Sequence, residues 1–191
     1  MSAPRPRAVV IGVSAGAVTA LSQVLPALPA DYPVPVLVVV HIPADRANMI
    51  APIFQTKCAM RVVEAEDKQP AQPGAIYFAP PDYHLLVEAD GTLALSSDEP
   101  VLHSRPSIDV LFESAADAYG PAFIGVVLTG ANADGAAGAR AIARAGGTVL
   151  VEDPAQAYAA AMPAAALKAC PQARILALEA IGPQLVREGA R

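Results

Sequence analysis

The amino-acid sequence predicts an α/β fold: three layers, doubly wound around a mostly parallel sheet, with an antiparallel β-hairpin or meander as an insertion. Three observations carry this. The apolar runs AVVIG, VPVLVVV, FIGVVL and TVLVE are solid, largely β-branched and free of alternation, as strands buried on both faces are. Stretches of helical character separate them, and strands alternating with helices build a parallel sheet covered on both sides. Asp90-Gly91, between HLLVEA and TLALSS, is a strong hairpin signal.

The elements follow in order. Residues 8–12 form the first strand, and residues 16–25 a helix ended by Pro26 and Pro29. VPVLVVVH is a second strand ending at His41, 46–57 read as a helix and 61–64 as a third, shorter strand. Pro70 and Pro73-Gly74 mark a turn, after which AIYFA, HLLVEA and TLALSS form the meander. Pro106 opens a helix that runs through Tyr119, with Ser107 placed to cap it. FIGVVLTG (123–130) is the fourth buried strand, and a helix then starts near Asp134 and closes at Gly146-Gly147. TVLVE (148–152) is the fifth strand, and helices near 163–170 and 181–189 complete the chain. No repeat, low-complexity tract or linker interrupts the pattern, so residues 1–191 read as one domain.

Composition excludes several classes of function. A net charge of −5 gives no basic face for nucleic acid, and the absence of tryptophan leaves little for base stacking. Two cysteines, Cys58 and Cys170, lie outside any CxxC pair, and with three histidines they offer neither a disulfide scaffold nor a structural metal site. The uncharged stretch between Arg7 and Asp31 is long enough to imitate a membrane span or a secretory signal. Gly12, Ser14, Gly16, Thr19, Ser22, Gln23, Pro26 and Pro29 break it, and it divides better into a strand, a glycine turn and an amphipathic helix. The expectation is a cytoplasmic protein without membrane insertion, whose residues 1–30 belong to the folded body.

Ligands of open parallel sheets bind beyond the carboxyl ends of the strands. Three reactive side chains fall there: Ser14 after the first strand, His41 at the end of the second, and Asp134 after the fourth. A serine, a base and a carboxylate on one rim are the set needed for nucleophilic acyl transfer, since the serine is a poor nucleophile until a histidine takes its proton. Gly12-Val13-Ser14-Ala15-Gly16 also fits G-x-S-x-G between strand and helix, the context of a nucleophile elbow. Each residue has a plainer reading. Ser14 suits a helix cap, His41 a core histidine, and Asn132, Asp134 and Gly135 any loop that starts a helix. A phosphate-binding loop is a further alternative, but neither G-x-G-x-x-G nor a Walker lysine is present. His84 reads as a structural histidine of the meander, while His103 suits either solvent or a cleft wall. The order Ser, His, Asp differs from the Ser, acid, His order of α/β-hydrolases and disfavours that superfold.

GVSAGA, VVVHIP, AIYFAPPDYHLLVE, RPSIDVLF and LTGANADGAAG, in this order from about Ala8 to Ala169, resemble CheB-type protein-glutamate methylesterase catalytic domains. The resemblance implies a parallel α/β sheet with an antiparallel hairpin. It also implies hydrolysis of glutamate γ-methyl esters on the cytoplasmic helices of chemoreceptors, with methanol released and without metal or cofactor, and deamidation of receptor glutamines as a second activity. It places the nucleophile on Ser14, the base on His41 and the carboxylate on Asp134, with the backbone N–H groups of Ala15 and Ala131 as oxyanion donors; the substrate-binding residues stay unassigned. Two positions depart from the family pattern: Gly16 is followed by Ala17 in place of a second glycine, and Ala131-Asn132 replace Met-Gly. These departures point to a low absolute rate. The usual receiver domain does not precede the first strand in this sequence, so the chain is either a stand-alone member, with a separate receiver-type regulator as its partner, or a fragment. Two alternatives stand beside the esterase: a catalytically weak or inactive signalling and binding module of the same fold, and a small-molecule binder using the strand-end rim.

Overall fold

The computed structural model describes residues 6–41 and 49–190. Among the described residues, nine strands form in chain order: β1 (Val9–Val13), β2 (Val36–Val40), β3 (Arg61–Glu64), β4 (Ala75–Phe78), β5 (His84–Val87), β6 (Leu93–Ser96), β7 (Ile124–Val127), β8 (Thr148–Glu152) and β9 (Arg174–Leu176). Six α-helices among the described residues join them: α1 (Ala17–Val24), α2 (Ile50–Gln55), α3 (Ile108–Tyr119), α4 (Ala136–Arg144), α5 (Ala161–Ala169) and α6 (Leu178–Gly189). Seven strands build one sheet in the order β3-β4-β2-β1-β7-β8-β9, all neighbours parallel, while β5 and β6 pair antiparallel as a separate hairpin. The predicted three-layer, mostly parallel architecture with an inserted hairpin is the architecture found.

Alternation along each strand sorts the core into two halves. Val10 of β1 and Leu37 and Val39 of β2 face Ile108, Phe112, Ile142, Met162 and the hairpin's Leu85 and Leu93. Val9, Ile11 and Val13 face the other way, onto Leu21 and Val24 of α1, Phe54 of α2 and Ile181 and Leu185 of α6. All of β1 is buried on both sides, which is why its sequence shows no polar alternation.

Most predicted elements are found within a residue or two of their expected bounds, and four differ. AIYFA belongs not to a meander but to the main sheet, where β4 runs parallel between β2 and β3. A short edge strand, β9, lies where no element was expected. The α6 helix starts at Leu178, three residues before its expected start, and carries Pro183 in its interior. Of the helix expected over 46–57, residues 50–55 are helical and 46–48 lie outside the described residues. No helix among the described residues is long and apolar enough to cross a membrane.

One glycine sets how closely the layers approach. A Cβ on Gly12, in the middle of β1, would collide with the Ile108 side chain at the start of α3. Gly12→Ala is therefore expected to cost about 1–3 kcal/mol by overpacking a closed core. Chemical denaturation checks this; an unchanged midpoint would mean that α3 has room to retreat.

Candidate active site

The carboxyl ends of β1, β2, β7 and β8 share one rim. Val13 of β1 is in register with Val40 of β2, and His41 N–H donates to the Val13 carbonyl at 3.2 Å. Ser14 and His41 thus leave the sheet side by side. The loop after β7 returns across α3 and brings Asp134 Oδ2 within 2.7 Å of His41 Nε2. An ionised carboxylate only accepts, so Nε2 carries the proton and Nδ1 is the ring nitrogen left to serve as a base. The Ser14 hydroxyl forms no hydrogen bond among the described residues. Contacts of this kind commonly tighten only when substrate is bound.

Asp134 is fully buried and accepts more than the histidine. Ser107 Oγ and Asp109 N–H donate to Oδ1, each at 2.9 Å, and Ile108 N–H donates to Oδ2 at 2.6 Å. The carboxylate therefore sits on the N-terminus of α3, where unpaired amides and the helix dipole favour negative charge. Burial pushes its pKa up, but the hydrogen bonds from His41, Asp109 and Ile108 outweigh burial and hold it below the ordinary carboxylate value. Asp134 stays ionised, as a partner for an imidazolium must.

The arrangement is reciprocal. Asp109, in the first turn of α3, accepts from the amides of Gly135 (2.9 Å) and Gly138 (2.7 Å) at the start of α4. Asp134, just ahead of α4, accepts from the start of α3, and Asp109 of α3 accepts from the start of α4. Burial pushes the Asp109 pKa up to about 6, the Gly138 amide opposing and the charges of Asp134 and Glu113 adding to the rise. A raised carboxylate pKa means that the folded state holds this proton more tightly than the unfolded chain does. Its stabilisation is complete below the ordinary aspartate value, about 3.9, and is lost as pH rises through about 6. Asp109→Asn keeps the acceptor oxygen and removes the titration. Relative to wild type, this variant should gain stability from pH 5 to pH 7 in denaturant titrations; an unchanged difference would contradict the assignment.

The serine turn is braced from β7. Ser14 N–H donates to the Thr129 carbonyl (2.9 Å), and Thr129 Oγ1 donates to the Ala15 carbonyl (2.8 Å) while accepting from Ala159 N–H (2.8 Å). Thr129 N–H in turn donates to the buried carboxylate of Glu152 at 2.7 Å. Burial raises the Glu152 pKa, with the Thr129 amide opposing. Gly16 turns the chain into α1 with φ of 83°, in the left-handed region that glycine enters without strain. The amides of Ala15 and Ala131 make no backbone hydrogen bond among the described residues, whereas Gly130 N–H is occupied by the Ala159 carbonyl. Asn132, where the family pattern has glycine, needs no positive φ, and its Oδ1 accepts from Asp134 N–H at 3.1 Å. Ala17 is the first residue of α1 and is buried there without strain.

The remaining histidines separate clearly. His84 is buried, accepting from Ser107 N–H through Nδ1 (3.1 Å) and donating from Nε2 to the Glu99 carbonyl (3.0 Å). It steadies the residue that caps α3 and is structural, as expected. His103 is exposed in a tight turn closed by the Val101–Ser104 bridge. Sequence reasoning missed Asp109, Thr129 and Glu152, because nothing in their spacing says which loops meet.

The CheB methylesterase family model matches residues 9–185. The chain belongs to the CheB methylesterase family. A protein of Nocardioides sp. named protein-glutamate methylesterase/protein-glutamine glutaminase is 42% identical over 188 residues, 97% of this chain and 51% of that protein. A Leptospira interrogans relative named for the same two activities is 44% identical over 180 residues, 94% of this chain and 93% of that protein. This chain thus spans about half of the Nocardioides protein and nearly all of the Leptospira one. The crystal structure of the Thermotoga maritima CheB methylesterase catalytic domain superposes with a TM-score of 0.91 at 32% identity, covering 95% of this chain and 98% of that one. The fold and the family reached from the five ordered segments are those the comparisons give.

Proposed function

We propose that residues 1–191 act as one domain, a cytoplasmic serine carboxylesterase that hydrolyses glutamate γ-methyl esters on chemoreceptor helices. The observation that carries this is the His41–Asp134 hydrogen bond of 2.7 Å on the rim beside Ser14. In this reading Ser14 Oγ attacks the ester carbonyl while His41 Nδ1 takes its proton. The Asp134 carboxylate stabilises the imidazolium that results. The amides of Ala15 and Ala131 receive the negative charge that develops on the carbonyl oxygen. Collapse of the tetrahedral species breaks the ester C–O bond, and His41 returns its proton to the departing methoxide as methanol. A water molecule, deprotonated by His41, then cleaves the acyl-enzyme to free glutamate and restore Ser14. The same sequence applied to a glutamine amide releases ammonia, which is the deamidase activity the relatives' names include.

The four donors fixed on Asp134 support an active site over an inert binding module, since a binding rim does not require a buried, ionised carboxylate aligned on a histidine. The deciding experiment is methanol release from methylated receptor fragments. Turnover supports the reading, and none at any pH between 6 and 9 would overturn it.

A further inference from the structure

We propose that Tyr158 is a substrate-binding residue, a wall on which the methylene arm of the esterified side chain lies while its carbonyl faces Ser14. This rests on the methylesterase reading above and adds a residue that the motif segments do not contain.

Tyr158 is 82% exposed, an unusual position for a ring on an otherwise closed core. Its place is not arbitrary. A Cβ built on Gly16 would meet Cβ, Cγ and Cδ1 of Tyr158 at 3.1 Å, so the side chain lies directly over the turn that presents the serine. Its backbone is held on both sides. Ala157 N–H donates to the Asp153 carbonyl (3.0 Å), and Ala159 both donates to Thr129 Oγ1 (2.8 Å) and accepts from Gly130 N–H (3.1 Å). The Thr129 hydroxyl that fixes Ala159 is the one bonded to the Ala15 carbonyl, so a single side chain sets the ring's distance from the serine turn. The backbone that carries this water-exposed ring is therefore ordered before a ligand arrives, which lowers the cost of binding against it. The arm of a glutamyl ester is two methylenes, which suits an aromatic face.

The test compares two substrates on the full chain: a helical peptide with one glutamate γ-methyl ester, and p-nitrophenyl acetate, which has no such arm. For Tyr158→Ala, the ratio of kcat/KM on the peptide to kcat/KM on p-nitrophenyl acetate is expected to fall about tenfold, the value of two buried methylenes. The loss should appear in KM for the peptide, and Tyr158→Phe should restore it. An unchanged ratio in Tyr158→Ala would overturn the assignment alone, as would an equal loss on both substrates. A wild type that cleaves p-nitrophenyl acetate through Ser14 yet leaves the peptide ester intact would overturn the methylesterase reading and the assignment together.

Discussion

Ser14→Ala is expected to lower kcat for methyl-ester hydrolysis by roughly 10⁴–10⁶, the scale on which removing a nucleophile acts in serine hydrolases. The turn itself should survive, because what holds it is backbone: the Ser14 amide on the Thr129 carbonyl and the Ala15 carbonyl on the Thr129 hydroxyl. Stability and substrate affinity are therefore expected to stay near wild type while methanol release disappears. His41→Ala should match it, and the double variant should cost little more than either, since the pair acts as one unit. Single-turnover methanol release with each variant checks this; wild-type rates in Ser14→Ala would place the nucleophile elsewhere.

Asp134→Asn is the second large effect, and it should be double. An amide cannot stabilise the imidazolium, and its N–H₂ group would face either His41 and Ile108 or Ser107 and Asp109, all of them donors to the carboxylate. The rate should drop about 10³–10⁴-fold. The buried mismatch should also cost on the order of 1–3 kcal/mol of stability. Paired kcat measurements and denaturant titrations separate the two. A dead variant of unchanged stability would mean that the start of α3 does not depend on this carboxylate.

The parts of this molecule that sequence made legible are those with a local cause. Solid β-branched runs marked β1, β2, β7 and β8, and the first polar residues past three of those runs were Ser14, His41 and the loop of Asp134. Asp90-Gly91 fixed the hairpin, and Ser107 its helix start, because turn and cap chemistry is written in adjacent residues. What stayed hidden depends on distant pairing. AIYFA has the composition of a strand in either sheet, and only its register with Val36, Leu37 and Val38 makes it parallel. β9 is three residues long with an exposed Arg174 at the edge, too short for periodicity to register. Asp109 reads as an ordinary first-turn acid until α4 arrives at it, and Thr129 reads as the tail of a strand until the loop carrying Tyr158 folds back.

The position of β1 at the centre of the sheet also constrains biosynthesis. It emerges shortly before β2, one of its two neighbours, but the other, β7, is made only when residues near Ile124 leave the ribosome. Until then an apolar strand has one edge unpaired, in the manner that makes parallel sheets slow to fold and prone to association. Asp134 follows later still, so no nascent chain short of it has an oriented base. On the proposed reading, esterase activity arrives only after Asp134 has left the ribosome, and a chain stalled before that point would be inert however much of its sheet had formed.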